Sequence, residues 1–157
     1  MVEKVIINNL IALVIHAAIS IVLWLPTAFI WQWGVWNHRI KSYSLIENWV
    51  LIGIFTMITF SIYFWLGRKY LSNTNRTLTN VFSVAVVPVV ISLVAFIGWL
   101  SPYNPSFGMF MLGILISPIH PISETISFYF GMERIGGHMI MSFLPSIAML
   151  RGMTTKR

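Results

Sequence analysis

The sequence contains no cysteine and no aspartate among its 157 residues. The absence of cysteine excludes disulfides, thiolate metal sites, thiol redox chemistry and haem attachment. The absence of aspartate excludes the paired aspartates of an aspartyl intramembrane protease. Charged residues of every kind make up only 9% of the chain, whereas hydrophobic residues make up 57%. This composition is not that of a soluble globular domain and predicts a protein whose solvent is lipid.

Motifs of membrane-embedded enzymes are also missing. The chain has no HExxH string for a metalloprotease and no Gly-x-Ser-Gly elbow for a serine protease. Its four acidic residues leave little with which to bind magnesium and phosphate. We therefore predict that the protein is not an enzyme, and we expect no cofactor.

Long apolar runs are the main feature that the sequence does have. Residues 5–38 carry no charge, and this run is longer than the roughly 20 residues that a helix needs to cross the hydrocarbon core. It also continues well past the about 7 to 15 apolar residues of a secretory signal, which favours a retained span. Whole segments are apolar on every face and do not alternate with period two, which favours helices over a barrel.

We predict an all-α, polytopic transmembrane helical bundle that forms a single domain over residues 1–157. The predicted spans cover about residues 5–29, 48–66, 81–99 and 123–150. Trp31, Trp33 and Trp36 predict an aromatic belt at the outer end of the first span. The apolar piece 107–116 is too short to cross and predicts an extra interfacial or re-entrant segment on the outer side.

The distribution of basic residues favours four spans with both termini inside. That topology puts seven basic residues inside and three outside, whereas counting 107–122 as a fifth crossing gives five on each side. The inside residues are Lys4, Arg68, Lys69, Arg76, Arg151, Lys156 and Arg157, and the outside residues are Arg39, Lys41 and Arg134. The formal net charge of +6 predicts contact with anionic lipids, and we expect no nucleic-acid partner.

His16 lies near the middle of the first predicted span, where an ionisable side chain is costly enough to be a functional candidate. Three roles are open to it: a hydrogen bond that joins neighbouring helices, a contact with a partner's transmembrane helix, or the handling of protons or ions. Asn8 and Asn9, nearer the inner end, can also join helices by hydrogen bonds.

A second group of polar residues is predicted on the outer side. His120, Glu124, Glu133 and His138 are residue types that can hold zinc. Their spacing is not diagnostic, because Pro121 begins a helix between the first two and Glu124 in a first turn is explained by the helix dipole. We therefore assign no metal ligand from the sequence and treat the four as a candidate polar cluster.

Three prolines, Pro26, Pro88 and Pro145, fall inside predicted spans and indicate kinks. Ser142, shortly before Pro145, is a candidate to bond to the backbone that such a kink releases. Small residues on the first and third spans indicate close helix packing, although no GxxxG string occurs.

The length, the four-span layout, the opening MVEKVIINNL and the ending FLPSIAMLRG at residues 143–152 resemble the SaeQ family of small staphylococcal membrane proteins. The resemblance implies a Gram-positive cell membrane and a regulator encoded beside a two-component system. It also implies two partners, the transmembrane helices of a sensor histidine kinase and a lipoprotein on the outer face. The implied effect is to promote the phosphatase activity of the kinase. The resemblance includes no motif that would assign a functional role to a particular residue of this sequence.

The residues and the resemblance together predict a non-enzymatic accessory protein that binds and modulates another membrane protein. A small transporter or channel subunit, or a bacteriocin-immunity protein, is the alternative, because His16, the prolines and the 107–116 piece also fit those classes.

Overall fold

The computed structural model describes the backbone of residues 2–40, 45–74, 76–100 and 113–155. Within these ranges the regular structure is all helical, as predicted. The helices are α1 (Val2–Ile40), α2 (Leu45–Tyr70), α3 (Thr77–Phe82), α4 (Val86–Leu100), α5 (His120–Phe130), α6 (Arg134–Met141) and α7 (Phe143–Thr154). One further helical turn over residues 113–116 leads into a turn at 117–119.

Three helical stretches among the described residues are long and apolar enough to cross a membrane: Val2–Thr27, Val50–Tyr70 and Thr77–Ile97. They overlap the first three predicted spans. Their outward surfaces carry many exposed aliphatic and aromatic side chains, which is the surface expected of a protein in lipid. The structure therefore supports the prediction of a helical membrane protein.

The last third differs from the prediction of one span over residues 123–150. The segment is divided into α5, α6 and α7. Gly131 ends α5 in the left-handed conformation, with φ of 60°, and the chain reverses there. Gly137 of α6 packs against the backbone of Ser123 in α5, so the two helices lie side by side as an antiparallel pair, which we term the α5–α6 hairpin.

A proline accounts for the break between α3 and α4. Pro88 cannot donate a backbone hydrogen bond and clashes with the preceding turn, so residues 83–85 leave the helix. The side chain of Asn9 bonds to both sides of the break, donating to the Phe82 carbonyl at 2.8 Å and accepting from the Val86 amide at 3.1 Å. Ser146 of α7 donates to the Val84 carbonyl at 2.8 Å. The released backbone groups are thus satisfied by two other helices.

The most extensive helix contact among the described residues joins α2 to α7. A Cβ atom added to Gly67 would lie 2.6 Å from the Cα atom of Met149. One added to Gly152 would lie 2.7 Å from the Arg68 amide nitrogen and closer still to the Phe64 carbonyl oxygen. Two glycines therefore let the backbones of α2 and α7 touch, which is how membrane helices pack most tightly. The fully buried Tyr63 and Met149 lie beside this contact.

Hydrogen bonds bring the start of α1, the end of α2 and the end of α7 to one end of the bundle. Asn8 contacts both Ser72 and Met153 there. The basic residues on these segments and on the loop before α3 are Lys4, Arg68, Lys69, Arg76 and Arg151. We term this end, defined by those five residues, the basic end.

Some predicted features fall outside the described part of the chain. They include residues 107–112 of the predicted interfacial piece and the side chains of Trp31, Trp33 and Trp36. Among the basic residues that predict the topology, they also include Lys41, Lys156, Arg157 and the side chains of Arg39 and Arg134.

Candidate functional sites: a buried histidine and a histidine–glutamate cluster

Asn8 fastens α1 to the loop that follows α2. Its side-chain amide donates to the Ser72 carbonyl at 2.8 Å, and its side-chain oxygen accepts from the Ser72 amide at 3.0 Å. Asn8 is almost fully buried. Together with Asn9 at the α3–α4 break, it uses its polar atoms inside the chain, which is the helix-joining role open to both residues from the sequence.

His16 is fully buried in the middle of α1 and links three segments. Its Nε2 atom lies 2.8 Å from the Leu115 carbonyl oxygen, and its Nδ1 atom lies 2.6 Å from the Tyr63 hydroxyl of α2. A carbonyl can only accept a hydrogen bond, so Nε2 carries the proton of the neutral ring. Nδ1 then accepts from the Tyr63 hydroxyl. Both ring nitrogens are therefore engaged within the bundle, which favours the structural role among the three that the sequence left open.

The carbonyl that His16 binds belongs to a buried interruption in the helix before α5. Ser117 and Ile119 in this turn are buried. Thr27 donates to the Ser117 carbonyl at 3.1 Å, and the Ser117 hydroxyl donates to the Ser20 carbonyl at 2.9 Å. Non-helical backbone at this depth is tolerated only where protein or water satisfies it. Here α1 satisfies it, so the backbone groups released at this interruption are bonded within the bundle. Of the predicted 107–116 piece, the described residues 113–116 are exposed or half-buried, and its re-entrant course stays a prediction.

Three of the four residues in the predicted outer cluster come together. His120 Nδ1 lies 3.1 Å from His138 Nε2, and the two rings are 5.4 Å apart between centroids. Glu124 stands one helical turn after His120 on the same face of α5. One potential ligand atom from each of His120, Glu124 and His138 lies within 4.8 Å of the others. His138 is buried, while His120 and Glu124 are half-buried.

Glu133, the fourth predicted member, is not in this group. It precedes α6 in an extended conformation, its side chain is exposed, and it makes no capping hydrogen bond. Its backbone carbonyl accepts from the Gly136 amide at 2.9 Å. Glu133 therefore belongs to the loop of the α5–α6 hairpin.

Several residues that build these sites were not identified from the sequence. Tyr63 and Thr27 look like ordinary span residues until the fold shows their partners. Gly137 brings His138 against α5, and its only sequence signal is a Gly-Gly pair inside a helix, which is costly for helix formation and so indicates a packing requirement.

The exposed face of α2 carries a shallow apolar groove. Its lining residues are Met57, Ile58, Ser61, Ile62, Trp65 and Leu66. In the most apolar stretch of α2, 22% of positions are buried, against 33% and 39% in the other two candidate spans. Among the three, α2 therefore has the largest share of positions that the described residues leave unburied.

Comparisons of the chain with protein-family models, with curated proteins and with solved structures give no match. The resemblance to the SaeQ family stays a prediction.

Proposed function

We propose that the protein is a non-enzymatic, multi-pass membrane accessory protein that binds and modulates another membrane protein. The observation that carries this proposal is the contrast between a polar interior that is used internally and an α2 face that is open. Hydrogen bonds within the chain engage the polar side chains of Asn8, Asn9 and His16. Within the described part of the chain, exposed helix surfaces are then the parts that we propose act on a partner.

We further propose four spans with both termini in the cytoplasm. The last crossing would be α6 followed by α7, because Ser142 and Ser146 contact Ser92 and Val84 in an order antiparallel to α4. This course returns the chain to the basic end, where basic residues from four segments collect. The positive-inside rule favours a cytoplasmic position for such an end, and anionic headgroups would bind it.

The partner surface that we propose is the groove on α2. It lies on a stretch that can cross a membrane, so a protein segment filling it would have to be a transmembrane helix, the structure that satisfies its own backbone in lipid. Ser61 offers a small side chain between Met57 and Trp65, and small residues allow close approach of a second helix. Differential contact with two states of the partner would shift their populations, which is the physical meaning of modulation here.

The resemblance to the SaeQ family supplies the identity of the partner in this proposal. It would be a sensor histidine kinase, with a lipoprotein on the outer face, and the effect would be to favour the phosphatase activity of the kinase.

A bulky side chain placed in the groove should prevent binding of the partner helix. We expect Ser61→Trp to abolish co-purification of the partner kinase in mild detergent. Val14→Trp is the matched control, because Val14 is 68% exposed on α1 and lies outside the groove. Recovery of homo-oligomers alone from the unmodified protein would contradict the proposal.

The regulatory step has its own measurement. In native-host membranes, we expect removal of the protein to raise the phosphorylated fraction of the cognate response regulator. Expression of the Val14→Trp variant should bring this fraction back to its original level, whereas expression of the Ser61→Trp variant should not. An unchanged fraction on removal would count against modulation of a kinase.

One observation favours a second candidate, a channel or transporter subunit. The buried turn at Ser117 and Ile119 interrupts a helix deep in the bundle, and such interruptions are found in transport proteins. Ion or solute flux through liposomes that hold the purified protein would support this candidate, and absence of flux would remove it.

A further inference from the structure

The α5–α6 hairpin carries a cluster of nitrogen and oxygen ligands that the proposed function does not use. We propose that His120, Glu124 and His138 bind one divalent transition-metal ion, with zinc as the best fit, and that this ion fastens α5 to α6.

The separation of the two imidazoles matches what a shared ion requires. Zinc binds histidine nitrogen at about 2.0–2.1 Å, so two nitrogens in a tetrahedral shell lie roughly 3.3 to 3.4 Å apart. His120 Nδ1 and His138 Nε2 are 3.1 Å apart. A shift of a few tenths of an ångström would open room for the ion between them.

The third ligand is placed by helix geometry. Glu124 follows His120 by four residues, so both side chains lie on one face of α5. The three candidate ligand atoms lie within 4.8 Å of one another, and a rotation of the long glutamate side chain can shorten the remaining gap. His138 arrives from α6 because Gly137 lets the two helices touch.

The ligand set determines the class of ion. Two imidazoles and one carboxylate suit zinc and its neighbours in the first transition series, while magnesium and calcium prefer oxygen ligands. Three protein ligands leave one tetrahedral position for water or for the second carboxylate oxygen. His120 and Glu124 are half-buried, so the site can be reached from outside the bundle.

Without an ion, the same two rings would share one N–H···N hydrogen bond. The two situations differ in the role of Glu124, because only the ion requires its carboxylate as a ligand. They differ also in the response of the hairpin to metal, since an ion that binds only the folded hairpin stabilises it.

The full-length protein would be purified in detergent through a tag without histidines, treated with a chelator and titrated with zinc. We expect one zinc ion per chain, a rise in the thermal unfolding temperature on zinc addition, and no comparable binding of magnesium. Cobalt(II) in place of zinc should give the visible absorption of a tetrahedral site.

Matched variants identify the ligands. Loss of residues that merely orient a ligand lowers metal affinity by roughly 10- to 100-fold, so we expect Glu124→Gln and His138→Gln to lose at least that much. Glu133→Gln is the control, and it should bind zinc as the unmodified chain does. Circular dichroism and gel filtration of each variant would show that it is folded.

Two results would overturn the proposal. One is the absence of stoichiometric zinc binding by the unmodified protein. The other is unchanged affinity in folded Glu124→Gln and His138→Gln, which would assign the zinc elsewhere and leave a histidine pair at this position.

Discussion

Two contacts within this bundle are held together in different ways. The contact of α2 with α7 depends on the absence of side chains at Gly67 and Gly152, which lets the two backbones meet. The contact of α1 with the turn before α5 depends on polar side chains, since His16 and Thr27 donate hydrogen bonds to backbone carbonyl groups there. The first contact should fail when atoms are added, and the second when polar atoms are removed.

The largest effect is expected at the contact of α2 with α7. Gly152→Ala would place a Cβ atom against the backbone of Phe64 and Arg68, and backbone cannot move aside as a side chain can. We expect the free energy of unfolding to fall by about 3 kcal/mol, at the upper end for overpacking. Denaturant titration of the detergent-solubilised protein would measure it.

Gly53→Ala is the control for that change, because a Cβ atom at Gly53 meets nothing within 4 Å. It should leave stability equal or raise it by up to about 1 kcal/mol through helix propensity. Equal losses in the two variants would mean that α2 and α7 do not touch as described.

The α5–α6 hairpin combines close packing at a glycine with a contact between polar side chains. One substitution at that glycine should therefore disturb both kinds of contact. Gly137→Ala would press on the Ser123 backbone and the Ser127 hydroxyl and separate His138 from His120. We expect a loss of about 2 kcal/mol in stability, together with weaker zinc binding. Calorimetry and zinc titration of the same sample would measure the two effects.

The neighbouring glycine supplies the control. A Cβ atom at Gly136 would meet only the flexible Met132 side chain, at 3.4 Å and beyond, so Gly136→Ala should leave stability and zinc affinity nearly unchanged. If Gly136→Ala and Gly137→Ala behaved alike, the close contact of α5 with α6 would be refuted.

A smaller effect is expected at His16. His16→Leu would remove the hydrogen bonds to the Tyr63 hydroxyl and to the Leu115 carbonyl, which would keep only the longer bond from Ser20 at 3.4 Å. Hydrogen bonds between membrane helices average about 0.6 kcal/mol each, so we expect a loss of about 1 kcal/mol. A double-mutant cycle with Tyr63→Phe would isolate the bond between the two side chains. Strict additivity in that cycle would rule out the bond.

The smallest effect is expected at Thr27, which makes a single hydrogen bond to the Ser117 carbonyl. Thr27→Val keeps the shape of the side chain and should cost about 0.6 kcal/mol. Hydrogen exchange should quicken at the non-proline amides of residues 117–123. Thr154→Val, which removes a bond to the helix's own backbone near its exposed end, should leave that exchange unchanged.

Much of the fold could be predicted from the sequence, because length and apolar composition decide whether a helix can cross lipid. The first three spans follow from that rule, and the break before Pro88 follows from the chemistry of proline. The division of residues 123–150 did not follow, since both a continuous span and a hairpin fit the same apolar content. The left-handed Gly131 and the close packing of Gly137 decide between them, and both depend on tertiary contacts.

The sequence identified several residues of the candidate sites, but it did not identify which other residues they contact. His16 was identified by its depth in an apolar run, but its partner Tyr63 lies 47 residues away and its other partner is a backbone carbonyl. Glu124 and Glu133 were both assigned to the candidate cluster from the sequence. Only the α5–α6 hairpin separates them, by carrying Glu124 toward His138 and leaving Glu133 exposed in the loop.

The hydrogen-bonded chain from Tyr63 through His16 to Leu115 also gives the molecule a built-in spectroscopic reporter. The Nε2 proton of the imidazole forms the hydrogen bond from α1 to the buried turn, and Nδ1 accepts the hydrogen bond from Tyr63 of α2. Nitrogen-15 chemical shifts distinguish a protonated ring nitrogen from a bare one, so a single labelled histidine would register any movement of three separate segments. A partner helix that docked on the far face of α2 could then be detected from inside the bundle, without a probe at the docking surface.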